Sequence, residues 1–249
     1  MPPSSPLLLK RLAFFVVLVG LLLAPTVSAF AASSDYVLTQ RSHRFGDHYT
    51  YISPNGFRLT NPRSGFALTT RSGNWNFYLF NEKNRLSYQT SADRWIHEIA
   101  GGGERETMLG QWVKQPKPVS LLGMKASEYK LSGQLETRYL NGAPQISQQV
   151  VGATYIVVED RNLPPKLADL FAVTYGVPNV QGLPLELYYT TYNGDRINRL
   201  ETYRINRTSV TAQFFNMPAG YKASDSFQAV MFETQAQAQM IAGNQKQMH

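Results

Sequence analysis

The side chains that could do chemistry are few and scattered. His43 and His48 flank Asp47, and His97 precedes Glu98. Imidazoles and carboxylates can hold a divalent metal only if they converge, and neither His-Glu-x-x-His nor a Cys/His pattern occurs. His43 ends a strand-like run and His48 lies past a turn, so both read as solvated histidines with no metal site. Glu159 and Asp160 are adjacent at a strand end, where neighbours point to opposite faces, so they do not pair as catalytic carboxylates. Glu186 and Glu201 are placed as cross-strand neighbours, with Arg196, Arg199 and Arg204 near enough to pair with them in a structural salt-bridge face. There is no Gly-x-Ser-x-Gly elbow, Walker loop or dinucleotide glycine pattern. Gly101-Gly102-Gly103 lacks a following Lys-Ser/Thr and reads as a hinge or helix stop. No nucleophile–base pair can be assembled from these motifs, so the chain reads as a non-enzyme that needs no metal or cofactor.

The apolar side chains offer the other kind of chemistry. Trp75, Phe77 and Leu79 alternate onto one face of one run, and Leu185, Leu187 and Tyr189 onto one face of another. Phe214 belongs to a third run, and Phe171 to a helix that must cover the sheet. These eight residues are candidates for the wall of a cavity that takes an apolar ligand. Large apolar side chains are also what an ordinary buried core uses, so a core packed under the helix is the plainer reading of each one singly.

The elements that must position them are mostly short strands. Tyr36–Phe45, Tyr49–Ile52, Phe57–Thr60, Phe66–Thr70, Trp75–Phe80 and Arg85–Thr90 are divided by turns rich in Gly, Pro and Asn, the pattern of an antiparallel sheet or barrel. Ala92–Ala100 reads as a short helix with a Ser or Asp cap and Trp95, Ile96 and Ile99 on one stripe. Glu104–Trp112 reads as its resumption, so 91–113 is either a mobile flap or a fixed connection. Strands follow at Val119–Leu131, Leu135–Leu140 and Ala153–Asp160. Pro165 opens a helix with Leu167, Leu170, Phe171 and Thr174 on one face, ended by Gly176 and Pro178. Leu183–Tyr189, Asn193-Gly194 and Arg196–Ile205 form a hairpin, and Val210, Ala212 and Phe214 share one face of a further strand.

Lys10 and Arg11, the apolar Leu12–Ala24 and the small residues at Ala29 and Ala31 have the form of an export signal. Residues 1–31 are therefore expected to be a signal peptide, 32–232 one domain, and 233–249 a Gln/Ala-rich tail that is a frayed helix or disordered. Export places the protein in the periplasm or outside the cell. The chain has no cysteine, which excludes thiolate chemistry and leaves the fold to its core. Without Lys10 and Arg11 the net charge falls from +7 to +5. The cations are scattered, which argues against a nucleic-acid groove and is compatible with transient contact with an anionic membrane surface.

Several segments carry a family likeness. They are Leu86-Ser87-Tyr88, Leu122–Tyr129 (LGMKASEY), Thr154–Asp160 (TYIVVED), Gly182–Leu185 (GLPL) and Phe214–Lys222 (FFNMPAGYK). On these, roughly residues 36–225 resemble the LolA-like superfamily of exported bacterial proteins. The resemblance implies an α+β fold in which a strongly curved antiparallel sheet, an incomplete barrel, holds one or two helices on its concave side. It also implies a cavity for lipid acyl chains or similar amphiphiles. No carrier motif matches position by position, so no functional residue is carried over. The expected function is binding of a hydrophobic or amphiphilic ligand in the cell envelope. The alternative is a non-enzymatic interaction scaffold whose core is filled by its own helix.

Overall fold

The computed structural model describes residues 35–92, 94–95, 105–138 and 143–231. The expected leader, the triple glycine and the Gln/Ala-rich tail lie outside these residues. The chain divides into Met1–Ser33 and Ser34–His249, and the described residues all belong to the second unit.

The first half of this unit is a meander of adjacent antiparallel strands: β1 (Tyr36–Ser42), β2 (Gly46–Ser53), β3 (Gly56–Thr60), β4 (Phe66–Arg71), β5 (Phe77–Asn81) and β6 (Leu86–Thr90). Asn residues set two of its turns. The Asn61 side-chain oxygen accepts the Arg63 and Ser64 N–H groups, and that of Asn81 accepts the Lys83 N–H. Inward residues alternate as the period of two requires, with Phe57 and Leu59 buried on β3 and Arg58 between them facing the other way.

The second half brings β7 (Arg105–Leu109), β8 (Val113–Lys114), β9 (Val119–Leu121), β10 (Met124–Ser132), β11 (Gln134–Arg138), β12 (Gln145–Ser147) and β13 (Val150–Glu159). Helix α1 (Pro165–Tyr175) precedes the long hairpin of β14 (Gly182–Thr191) and β15 (Arg196–Arg207), and the two-residue β16 (Lys222–Ala223) precedes α2 (Phe227–Met231). The main sheet has 13 strands in the order β16-β6-β5-β4-β3-β2-β1-β15-β14-β13-β10-β8, with β9 on β10. It is mixed, because β16 runs parallel to β6. Among the described residues its end strands do not pair with each other, so the sheet is open. β12, β11 and β7 form a small second sheet.

The sheet bends around α1. Leu68 of β4 and Pro184 of β14 line one cavity beside Phe171, together with side chains from all four strands between them. In a flat sheet these strands would be ~24 Å apart, five spacings of ~4.8 Å. A helix is only ~10 Å across. Helix α1 buries Leu167, Ala168, Leu170, Phe171 and Thr174 and ends at Gly176, whose φ of +66° is the left-handed cap that glycine adopts without strain.

Three expectations are corrected. Residues 105–109 are a strand rather than a helix, held by pairing with β11. The run Val119–Leu131 is broken by a tight hairpin in which Leu122 and Gly123 both take positive φ, +52° and +76°. The expected strand at 210–214 is absent, because Ala212–Phe215 form a 3-10 turn. This turn belongs to a strap across the outer face of β2–β5. Thr69 Oγ1 donates to the Phe215 carbonyl at 2.9 Å, and the Arg58 guanidinium lies 5.1 Å from the Phe80 ring centre and 4.9 Å from that of Phe214.

Candidate functional site

Of the eight candidate wall residues, only Phe171 lines the apolar cavity between α1 and the sheet. Phe77, Leu79 and Leu185 are buried in the core cluster around α1, with Trp75 half-buried against it in the turn before β5. Leu187 and Tyr189 belong to a second core cluster nearer the small sheet and line a different, polar cavity. Phe214 sits on the outer face, edge-on to Tyr51 at 4.8 Å, and cannot join them. Its alternation with Val210 and Ala212 suggested a strand; the 3-10 turn removes that alternation and the strap carries Phe214 across the outer face.

The apolar cavity is narrow, with about 20 Å³ of room for a water-sized sphere. Phe57, Leu59, Leu68 and Leu200 of the sheet face Leu170 and Phe171 of α1 across it. The Phe57 and Phe171 rings meet edge to face at 5.7 Å. Trp95 closes one side, stacked on Phe77 with ring centres 5.4 Å apart. Its helix starts at Ser91, whose side chain accepts the Arg94 N–H and whose carbonyl accepts the Trp95 N–H, as the expected serine cap requires.

Polar atoms also reach this wall. Gln40 donates from Nε2 to the Pro184 carbonyl and to Thr202 Oγ1, both at 2.9 Å, and Thr202 Oγ1 donates to the Leu185 carbonyl at 2.7 Å. The β14–β15 ladder begins only at Glu186, so side chains serve the carbonyls of Pro184 and Leu185. Thr50 Oγ1 and Trp95 Nε1 are buried without a hydrogen-bond partner among the described residues.

The polar cavity adjoins the apolar one. Thr174 and Tyr175 of α1 line both. His43 and Arg44, from the β1–β2 turn, stand opposite Glu106 of β7, with Leu187 and Tyr189 of β14 and Arg199 of β15. Arg199 is ion-paired with Glu106, and its guanidinium lies over the Tyr189 ring at 5.0 Å. The Tyr189 hydroxyl is 3.5 Å from Glu106 Oε2, at the outer limit of a hydrogen bond. Burial pushes the Tyr189 hydroxyl up to about 12, against the pull of Arg44. The Tyr175 ring is partly exposed, but its hydroxyl is buried enough to be pushed up to about 12 against a hydrogen bond with Ser42 and the Arg44 charge.

The acidic and histidine candidates separate. Glu186 and Glu201 are cross-strand partners, and Arg196 pairs with Glu186 at 3.1 Å. Glu159 is held by Lys114 at 2.5 Å and Asp160 by the Tyr36 hydroxyl at 3.3 Å. His43 is exposed, but His48, expected in solvent, is buried. It points to the same inward face as Thr50 and Ile52, two and four residues on along β2. Among the described residues no group of three metal-ligating side chains occurs, and no helix is long and apolar enough to cross a membrane.

Sequence reasoning missed Glu106, and Arg199, read as a partner for Glu186 and Glu201, pairs with Glu106 instead. Glu106 fell in a run read as helix, and its partner is far away in the chain. Phe57, Leu59 and Leu68 were legible as inward residues of β3 and β4, but nothing local showed that they face the cavity rather than solid core.

No family model matches the chain, and no curated protein does. Among solved structures, an uncharacterized conserved protein from Thermus thermophilus is similar to it. The likeness covers 77% of this chain and 90% of that one at 12% identity, with a TM-score of 0.42.

Proposed function

We propose that the chain is an exported envelope protein with a LolA-like half-barrel, which binds the apolar portion of an amphiphile beside α1. The observation that carries this reading is the apolar lining of the gap between α1 and the sheet. Such a lining, with its few polar atoms, is the usual composition of small-molecule sites. Apolar chains suit such a wall because each buried CH₂ contributes about 0.8 kcal/mol without needing directional bonds. The unpartnered Thr50 Oγ1 and Trp95 Nε1 favour an occupant that also brings a hydrogen-bond acceptor. Binding rather than catalysis is proposed because Glu106, the one acid in either cavity among the described residues, is engaged by Arg199.

A second reading, the scaffold with a self-filled core, is favoured by one observation. Phe77, Leu79 and Leu185, expected on the ligand wall, are packed into the core that α1 covers. Native mass spectrometry and displacement of a fluorescent fatty-acid probe separate the two. Binding is expected in the wild type, reduced at least about tenfold by Thr174→Phe, which fills space between the cavities, and unchanged by Tyr192→Ala at the exposed hairpin. Overpacking of this kind costs about 1–3 kcal/mol, so a melting curve accompanies the variant. A wild type that carries no lipid-like mass and binds no probe would leave the scaffold.

A further inference from the structure

The two cavities meet at one turn of α1, yet their linings are unlike. Any chain lying along Leu170 and Phe171 reaches Thr174 and Tyr175, and beyond them the polar cavity. We propose that this polar cavity seats the head of the same ligand, and that the ligand is a single-chain amphiphile with an anionic head. The proposal rests on the amphiphile reading above and specifies it.

The charge of the lining carries the argument. Among the described residues Glu106 is the one acid there, and Arg199 is paired with it. Arg44 then remains as a surplus cation at the rim, close enough to influence both the Tyr175 and Tyr189 hydroxyls. Those two hydroxyls stay protonated at neutral pH and so add no negative charge to the cavity. Two cations, Arg44 and Arg199, therefore stand against the one described acid. A carboxylate or phosphate head meets this surplus, whereas a quaternary ammonium would meet Arg44 and repulsion. Separating the two ends also suits the fold, since the sheet side of the apolar cavity offers no charged side chain.

The test holds the chain fixed and varies the head. Dodecanoate, dodecyl phosphate, dodecanol and dodecyltrimethylammonium are titrated, below micelle formation, against a neutral fluorescent probe on the full chain after leader removal. Both anions are expected to displace the probe at concentrations at least about tenfold below the ammonium compound, the effect of one charge-assisted contact. The order of dodecanoate and dodecyl phosphate identifies which anionic head is preferred. Arg44→Gln, at an exposed position, should erase most of that advantage and leave dodecanol unchanged, and Arg44→Glu should reverse it. Acetate and inorganic phosphate alone should not displace the probe. Equal displacement by all heads, or indifference to Arg44, overturns the head-group seat while leaving the apolar cavity reading intact. Displacement by the small anions alone would mean a separate anion site and overturn the shared ligand. Failure of every dodecyl compound would overturn the amphiphile reading and the seat with it.

Discussion

Phe171 is the side chain on which helix and sheet depend together. It is 6% exposed, meets Phe57 edge to face, and belongs both to the core cluster and to the cavity wall. Truncation of a buried Phe removes its transfer energy and leaves a hole, so Phe171→Ala should cost about 3–5 kcal/mol in a urea melt. A loss below about 0.5 kcal/mol would put the ring at the surface instead. His48 is the second residue with a measurable signature. Its Nδ1 lies 2.8 Å from the Gly46 carbonyl, which holds a proton on Nδ1 and leaves Nε2 buried without a partner among the described residues. Burial lowers its pKa below the ordinary 6.5, more than the Gly46 carbonyl and Asp47 raise it. Above that pH the imidazole is neutral whether the chain is folded or not. Below it, the unfolded chain takes up a proton that the folded chain refuses, so stability falls as pH drops from 6.5 through the folded value. His48→Leu should lack this part of the acid loss, and the stability gap between variant and wild type should narrow or reverse between neutral pH and about pH 5. Parallel pH curves for the two would show that His48 is solvated.

At the scale of elements, local pattern was informative where local interactions decide. Helix α1 starts at Pro165 and ends before Gly176 as its Pro and Gly positions indicate, and the β14–β15 hairpin turns at Asn193-Gly194, where Gly194 has a φ of +85°. The sequence failed where a distant partner decides. Arg105–Leu109 is compatible with a helix until Gln134–Arg138 is paired beside it. Phe214 alternates with its neighbours as a strand residue does, but it is held by Arg58, far away in the chain. The β9–β10 turn escaped notice because leucine is a poor residue for it. Two positive φ values in a two-residue loop favour Asn-Gly, and a side chain in the left-handed region costs about 1–2 kcal/mol. Leu122 is 43% exposed, so little packing is lost on replacement. Leu122→Asn should therefore raise stability by about 0.5–1 kcal/mol, read as a higher denaturant midpoint. An unchanged or lower midpoint would mean that Leu122 contributes contacts outweighing the strain of its turn.

At the scale of the molecule, the bend of the sheet explains why the lining of the cavity was not legible in the sequence. Alternation shows which side of each strand is apolar, whereas the cavity is set by which strands the curvature brings against α1. Phe57, Leu59 and Leu68 arrive there from β3 and β4, while Phe77 and Leu79, one strand further on, become solid core. The same scale governs the boundary of the folded unit. β1 begins at Tyr36, and its ladders to β2 and β15 use Tyr36–Ser42 throughout. Cleavage after Ala29 or Ala31 would remove none of these pairings. As an export signal, the basic pair, apolar run and small-residue site would then be dispensable to the sheet, which makes export testable. Expressed in a bacterial host, the chain should be recovered from the periplasm or medium with an N-terminus near Phe30 or Ala32. A chain synthesised from Ala32 without the leader should melt at the same temperature as the exported product. Recovery of a membrane-held product still starting at Met1 would make the first segment an anchor, and a leaderless chain that failed to fold would make it part of the fold.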